Sequence, residues 1–164
     1  MSHEVVRTLL FSALVWGLWA SKPSLATISE EAETAYVFGV GHQDLDQLDE
    51  AIGYYTQAIT LDSTHARAYY GRGVSYAQQG RLGLAIADLT RAIELEPDFA
   101  PAYRNRGLAA LHQRQLEQAL ADFHEMIRLE PHAPGGYYFR GRAHQQHGEL
   151  EAALADYTTA IERD

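Results

Sequence analysis

Cysteine is missing from all 164 residues of this chain. Disulfide bonds, thiolate metal sites and cysteine nucleophiles are therefore excluded. Basic side chains are also scarce, because 13 lysines and arginines stand against 22 acidic residues and give a net charge of −9 at pH 7. A protein that binds nucleic acid through its phosphates needs a cationic face. The composition therefore argues against a nucleic-acid partner.

A long apolar run is lacking as well. The longest uncharged apolar stretch extends only from Leu9 to Ala20, shortly after Arg7, whereas a helix needs about 20 such residues to cross a bilayer. A short apolar run behind a positive charge, followed by small residues, is typical of a secretory signal. We predict a signal peptide over residues 1–26 that is cleaved after Ala26. The mature protein would then have no membrane segment, whereas an uncleaved segment would anchor it in the membrane.

Small residues recur along the rest of the chain with a period of 34 and without an insertion. The repeated positions hold Gly39, Gly73, Gly107 and Gly141, and also Ala51, Ala85, Ala119 and Ala153. A constant period of this length indicates tandem structural units. After a short lead-in at 27–31, we predict units at 32–65, 66–99, 100–133 and 134–164. The fourth unit is incomplete and lacks a capping helix.

Apolar residues within each unit have helical spacing. Leu82, Ala85 and Leu89 are separated by three or four positions, which places them on one stripe of a helix. Gly80 marks a turn before this helix, and Pro97 ends it because proline disfavours helical geometry in the residue before it. Each unit is therefore predicted to be an antiparallel pair of helices, which gives about eight helices in all.

The unit resembles the tetratricopeptide repeat, whose 34 residues carry Trp-x-x-Leu-Gly-x-x-Tyr, Ala-x-x-x-Phe and a closing proline. The second unit shows the pattern with Tyr69, Gly73, Tyr76, Ala85 and Pro97. The resemblance implies an all-α fold, a right-handed superhelical solenoid of four helix-turn-helix units. It also implies that the first helix of each unit lines a concave groove that binds protein.

Three units depart from this pattern in having arginine where the family has leucine before the glycine. An aspartate follows each arginine sixteen residues later, whereas the first unit has Phe38 and Tyr54 at these two positions. Because a buried charge without a partner is costly, we expect each arginine to be paired. The predicted salt bridges are Arg72–Asp88, Arg106–Asp122 and Arg140–Asp156. In the alternative, each arginine pairs with the aspartate of the preceding unit.

The family resemblance also implies which side chains face the groove. The predicted groove residues are Tyr36, Arg67, Tyr70, Val74, Gln78, Arg104, Leu108, His112, Tyr138, Arg142 and Gln145. Tyrosine and arginine often carry the binding energy of interfaces, and most acidic residues lie on the second helices. We therefore expect a protein or peptide partner with acidic or carboxylate groups. In the alternative, the tyrosines only cover the seams between units.

The binding mode of tetratricopeptide co-chaperones is not expected. Those proteins hold the terminal carboxylate of heat-shock chaperones with a clamp of lysine and asparagine side chains. Here the matching positions hold Tyr36, Val40 and Val74, and Asn105 is the one amide that remains.

Metal and catalytic sites are not indicated. His144 and His147 have a spacing that zinc can use, but no third ligand is evident, and His144 occupies the position of Tyr76 in the second unit. We therefore expect no metal, no cofactor and no enzymatic activity.

The predicted function is that of an exported scaffold or assembly factor. The compartment would be the periplasm, or the thylakoid lumen if the source is photosynthetic. Two alternatives remain, namely an accessory or regulatory subunit of an enzyme and a self-assembling module. The self-assembling module would form a homodimer through the apolar residues of the last helix, which are Leu150, Leu154, Tyr157 and Ile161.

Overall fold

The computed structural model describes residues 24–164, which form eight α-helices and no strand. The helices are α1 (Leu25–Asp44), α2 (Leu48–Leu61), α3 (Ala66–Gln78), α4 (Leu82–Leu95), α5 (Ala100–His112), α6 (Leu116–Leu129), α7 (Pro134–His147) and α8 (Leu150–Glu162). Within this part of the chain, no helix is both long enough and apolar enough to span a membrane. The predicted signal peptide lies outside the described residues apart from 24–26, and its cleavage stays a prediction.

The first helix is longer than the other seven, with 20 residues against 13 or 14. It begins at Leu25 because the Ser24 hydroxyl accepts a hydrogen bond from the backbone N–H of Thr27, at 3.2 Å, and so caps the helix. The lead-in predicted at 27–31 is therefore the first part of α1, and the predicted cleavage site after Ala26 falls in its first turn.

The turn inside each unit contains one residue with a left-handed backbone. The four residues are Asp46 (φ 58°), Gly80 (φ 74°), Arg114 (φ 60°) and Gly148 (φ 88°). A left-handed residue is a common way to end a helix, and glycine adopts it without a steric cost. The first and third units therefore hold a non-glycine residue in a strained turn.

Close packing of helices explains the repeated small residues. A Cβ atom on Gly107 would lie 2.6 Å from Cε1 of Phe123, so only glycine allows α5 and α6 to approach this closely. Each helix packs on the next along the chain. The first helices of adjacent units also contact each other, whereas the second helices do not, so the array curves with α1, α3, α5 and α7 on the inner side. The all-α solenoid predicted from the repeat is confirmed.

Candidate protein-binding groove

Arg72, Arg106 and Arg140 are half-buried and form what we call the paired arginine row. Nε and Nη2 of Arg72 donate to the two carboxylate oxygens of Asp88 at 2.7 and 2.8 Å. Nη2 of Arg106 lies 2.6 Å from Oδ1 of Asp122. The third pair joins Arg140 and Asp156 at 2.7 Å in the same two-pronged geometry. Each arginine is thus paired inside its own unit, with hydrogen bonds that also fix the plane of its guanidinium group.

The third guanidinium nitrogen of each arginine reaches the preceding unit. Nη1 of Arg72 donates to the hydroxyl of Thr56 at 3.1 Å, and Nη1 of Arg106 donates to Thr90 at 3.1 Å. The alternative pairing with the preceding aspartate does not occur among the described residues. A threonine hydroxyl faces Nη1 in the second and third units, and Nδ1 of His124 faces it in the fourth, at 3.5 Å. Sequence reasoning missed these contacts, although the 34-residue spacing of the two threonines was a signal for them.

The first unit replaces the charged pair by an aromatic one. The rings of Phe38 and Tyr54 stack with their centroids 5.5 Å apart. Phe38 is nevertheless 54% exposed, because no described unit precedes it.

Burial sets the electrostatics of the row. The side chain of Asp122 has only 2% of its surface exposed, and the side chain of Arg106 has 14%. Burial raises the pKa of Asp122, while the hydrogen bonds and the charge of Arg106 oppose the rise. The hydrogen bond to Asp88 raises the pKa of Arg72, so this guanidinium stays charged. The row is therefore a set of ion pairs within the units, with buried carboxylates, whose arginines also contact the preceding unit through Nη1.

Two of the predicted groove tyrosines cover seams between units, as the alternative interpretation held. The ring of Tyr36 packs on His65 with 5.1 Å between centroids, and burial raises the pKa of Tyr36. Tyr70 packs on Phe99 at 4.8 Å, and its hydroxyl accepts a hydrogen bond from the amide of Asn105 at 3.0 Å. These contacts hold both rings in place, and both side chains are half-buried.

Tyr138 is placed differently from these two rings. It packs edge-on against Phe139, at 5.4 Å between centroids, and is 48% exposed. It is therefore the groove tyrosine with the most free surface.

We call Arg67, Arg104 and Arg142 the groove arginines. No ion pair within residues 24–164 includes any of them. Arg67 lines one small cavity together with Glu33 and Glu96, so nearby acids partly neutralise its charge. Arg104 is exposed and Arg142 is half-buried. The last two thus carry the positive charge of the groove that no described acid balances.

The remaining predicted groove positions divide into apolar and polar groups. Val74 and Leu108 are half-buried, and Leu108 also packs against the core around Phe123. His112 is exposed at the end of α5. Gln78 accepts a hydrogen bond from Gln43 at 3.4 Å. These residues form a mixed surface with few fixed hydrogen bonds.

Gln145 is held by its own unit, since its side-chain oxygen accepts a hydrogen bond from the hydroxyl of Tyr157 at 2.8 Å. The same contact joins Tyr55 to Gln43 in the first unit at 2.7 Å. In the middle units the corresponding aromatic or leucine side chain has no hydroxyl. The side-chain oxygen of Gln145 therefore stabilises the helix pair of the fourth unit and is already occupied by Tyr157.

The two histidines of the fourth unit bind a carboxylate. Nδ1 of His144 lies 2.5 Å from one oxygen of Glu149, and Nδ1 of His147 lies 2.9 Å from the other. These contacts lower the pKa of Glu149. Among residues 24–164, no group of three or more histidine and acidic side chains is arranged to hold a metal ion. The cluster joins α7 to α8, and sequence reasoning missed Glu149 as its centre.

Models of tetratricopeptide repeats match most of this architecture. One repeat model covers residues 66–99, another covers 44–80, and a third covers 83–134 and 104–164. The third model alone thus spans half of the chain. No curated protein sequence matches the chain.

Solved structures share the same solenoid. A crystal structure of MamA is 25% identical, has a TM-score of 0.78, and is aligned over 85% of each chain. The Arabidopsis OM64 TPR domain is 25% identical, with a TM-score of 0.70 over 73% of this chain and 98% of that one. The first TPR of Spaghetti (RPAP3), bound to an HSP90 peptide, is 24% identical, with a TM-score of 0.71 over 73% and 95%. Repeat models and geometry agree that this chain belongs to the tetratricopeptide repeat family, a fold of protein-interaction scaffolds.

Proposed function

We propose that the chain is a non-enzymatic scaffold that binds an acidic segment of another protein in the groove formed by α1, α3, α5 and α7. One observation carries this proposal. Arg104 and Arg142 have no acidic partner among the described residues, whereas every member of the paired arginine row has one. Arginine offers a fixed fork of donors that matches a carboxylate.

The rest of the charge distribution favours this location for an acidic ligand. The second helices carry exposed acids, and the net charge is −9. An acidic segment is therefore repelled by most of the surface and attracted where Arg104 and Arg142 lie. The seam tyrosines add rigid aromatic surface beside these charges, which lowers the entropy cost of binding.

Peptide binding on this fold has a precedent in the comparison structures. The Spaghetti (RPAP3) TPR holds an HSP90 peptide. The positions of the carboxylate clamp of tetratricopeptide co-chaperones are occupied in this chain by Tyr36, Val40 and Val74. We therefore propose a different set of contacts, centred on the arginines of the third and fourth units. We further propose that the protein acts after export, on the strength of the signal-like residues 1–26.

The test is a titration of a fluorescein-labelled peptide of alternating Glu and Ala, with the corresponding Gln and Ala peptide as the neutral reference. The double variant Arg104→Gln/Arg142→Gln should bind the acidic peptide at least about tenfold more weakly. A hydrogen bond to a charged group contributes roughly 1.5–3 kcal/mol, and about 1.4 kcal/mol corresponds to tenfold in affinity.

The matched control is Arg91→Gln/Arg128→Gln, which removes the same charge from the second helices. Arg91 and Arg128 are 45% and 55% exposed, and each pairs with a glutamate on its own helix. This variant should bind nearly as the wild type does. Equal weakening by both double variants, or equal affinity for the acidic and neutral peptides, would overturn the proposal.

A further inference from the structure

Equivalent side chains of the second helices differ sharply in exposure at the end of the array. Ile161 is 77% exposed, whereas Ile93, two units earlier at the same position, is 9% exposed. Leu150 and Leu154 are 61% and 68% exposed, although their counterparts in the other units are half-buried. In the interior, the first helix of the next unit covers these positions. The outer face of α8 thus retains an interface that nothing in residues 24–164 covers.

The α1 end of the array retains the complementary surface, which in the later units packs against the preceding second helix. Thr34 and Gly41 on α1 are exposed, but their counterparts in the later units are small, buried residues that pack against the preceding second helix. Those counterparts are Ala68, Ala102 and Gly136 for Thr34, and Ser75, Ala109 and Ala143 for Gly41. A glycine inside an exposed helix costs about 1 kcal/mol relative to alanine, and a Cβ on Gly41 would have no atom within 4 Å. A small residue at this place fits the close approach of another helix, as its buried counterparts in the later units indicate.

The interior interfaces show which residues of the two ends would meet. A Cβ on Gly136 would lie 2.7 Å from Cγ1 of Ile127, so the position of Ile161 faces that of Thr34. The rings of Phe139 and Phe123 stack at 5.7 Å, so the position of Tyr157 faces that of Val37.

Val37 fits the size range of this contact. The interior interfaces accommodate both Gly71 and the larger Phe139 at its position. Val37 is 58% exposed among residues 24–164, so its apolar surface is available for such a contact.

Cavities mark the two uncovered faces. One of about 590 Å³ is lined by Tyr138, Tyr157 and Ile161 at the α8 end. In the second unit the equivalent place on Tyr70 is filled by Phe99, the residue just before the next first helix. The other cavity, of about 440 Å³, lies at the α1 end, and its lining includes Thr34, Phe38, Tyr54 and Leu61.

We propose that a second copy of this chain docks α1 onto α8 and continues the solenoid from one copy to the next. The contact joins two different surfaces, so it repeats without closing and produces linear chains of copies. It does not depend on the proposed function, because the groove stays open and extends into the neighbouring copy. A two-fold homodimer through α8 alone is the competing arrangement.

Sedimentation velocity on four variants of the 164-residue chain tests this proposal. Gly41→Arg blocks the α1 end, and Ile161→Glu blocks the α8 end. The controls are Gly53→Arg and Ala155→Glu, because these residues share a position that is exposed in every unit. For the wild type and both controls, the average mass should rise with concentration beyond twice the 18.3 kDa of one chain. Each blocked variant alone should remain monomeric.

The decisive sample is an equal mixture of the two blocked variants. Each retains one intact end, so the mixture should form dimers and nothing larger. A wild type that stays monomeric up to its solubility limit overturns the proposal, as does a mixture that stays monomeric. Association of Gly41→Arg to the level of the wild type would instead support the two-fold contact through α8. Thermal melts followed by circular dichroism check that all four variants are folded.

Salt separates this association from binding in the groove. Both ends carry acids, with Glu30 and Glu31 at one cavity and Asp164 at the other. Salt screens the repulsion between them, so association should strengthen when salt is added, whereas arginine–carboxylate binding in the groove should weaken. Weaker association at high salt would contradict the docking geometry and leave the groove proposal untouched.

Discussion

Arg104 and Arg106 lie two residues apart on α5 and have opposite surroundings. Arg106 is half-buried, is held by both oxygens of Asp122 and reaches Thr90 of the preceding unit. Arg104 points away from these partners, is exposed and forms no ion pair among the described residues. The same side chain therefore stabilises the array in one position and is available to a ligand in the other. The difference comes from the helical turn of roughly 200° between the two positions, which places one arginine between helices and the other on the inner surface.

The largest effect that tests this contrast is on stability. Arg106→Met should lower the free energy of unfolding by about 3–5 kcal/mol, because it leaves the buried carboxylate of Asp122 without its cation. Arg104→Met, the matched control on the same helix, should change it by no more than about 0.5 kcal/mol. Urea denaturation of the two variants measures both values. Similar losses in both would remove the distinction between the two kinds of arginine.

The pH dependence of Arg106→Met should sharpen the same contrast. Without the guanidinium that opposes it, burial raises the pKa of Asp122 further above its unfolded value of about 3.9. A carboxyl group with a raised folded pKa contributes most stability below its unfolded pKa and loses it as the pH rises through the folded pKa. The variant should therefore recover part of its lost stability, relative to wild type, as the pH is lowered from neutral toward the unfolded pKa of Asp122.

Urea midpoints measured for both proteins across that pH range are the readout. Arg106→Met/Asp122→Asn is the control, since it has no carboxyl group to titrate at this place. If the difference in urea midpoint between wild type and Arg106→Met does not change with pH, Asp122 is solvated after the loss of its partner.

A smaller effect is expected at a third kind of arginine, Arg114, which occupies a strained turn. Its φ of 60° lies in the left-handed region, where the equivalent residues of the second and fourth units are Gly80 and Gly148. Arg114→Gly should raise the free energy of unfolding by about 0.5–1 kcal/mol. A left-handed non-glycine residue costs roughly 1–2 kcal/mol, and glycine removes this cost. Part of the gain is lost because glycine increases the conformational entropy of the unfolded chain. Arg114→Ala keeps the strain and should show no such gain in thermal denaturation.

The sequence predicted the fold well because its evidence is local and repeated. A period of 34 positions and apolar spacing of three and four are sufficient to place the helix pairs. The early start of α1 was missed, since the repeat begins only at Ala32 and the cap at Ser24 precedes it. The pattern of an arginine followed sixteen residues later by an aspartate indicated partners that the structure places in hydrogen-bonding distance.

The groove was harder to predict, because the role of each side chain depends on the neighbouring unit. The sequence position of Tyr70 is compatible with a ligand contact. In the structure, however, Phe99 packs on its ring and Asn105 donates a hydrogen bond to its hydroxyl. Gln145, in contrast, is engaged within its own unit by Tyr157. One sequence does not show which of two adjacent polar residues finds a partner across a seam.

The sequence by itself determined the number of helices, their pairing and their close approach, because periodic apolar residues and small side chains act within a single unit. Only the tertiary structure decided which arginines are neutralised and which are available, since that depends on atoms contributed by the next helix. It also decided that Thr34, Gly41 and Ile161, whose counterparts in the other units are buried or half-buried, lie exposed at the two ends. The physical reason is that a residue at these positions is buried only when a neighbouring unit packs on it, whatever its own side chain is.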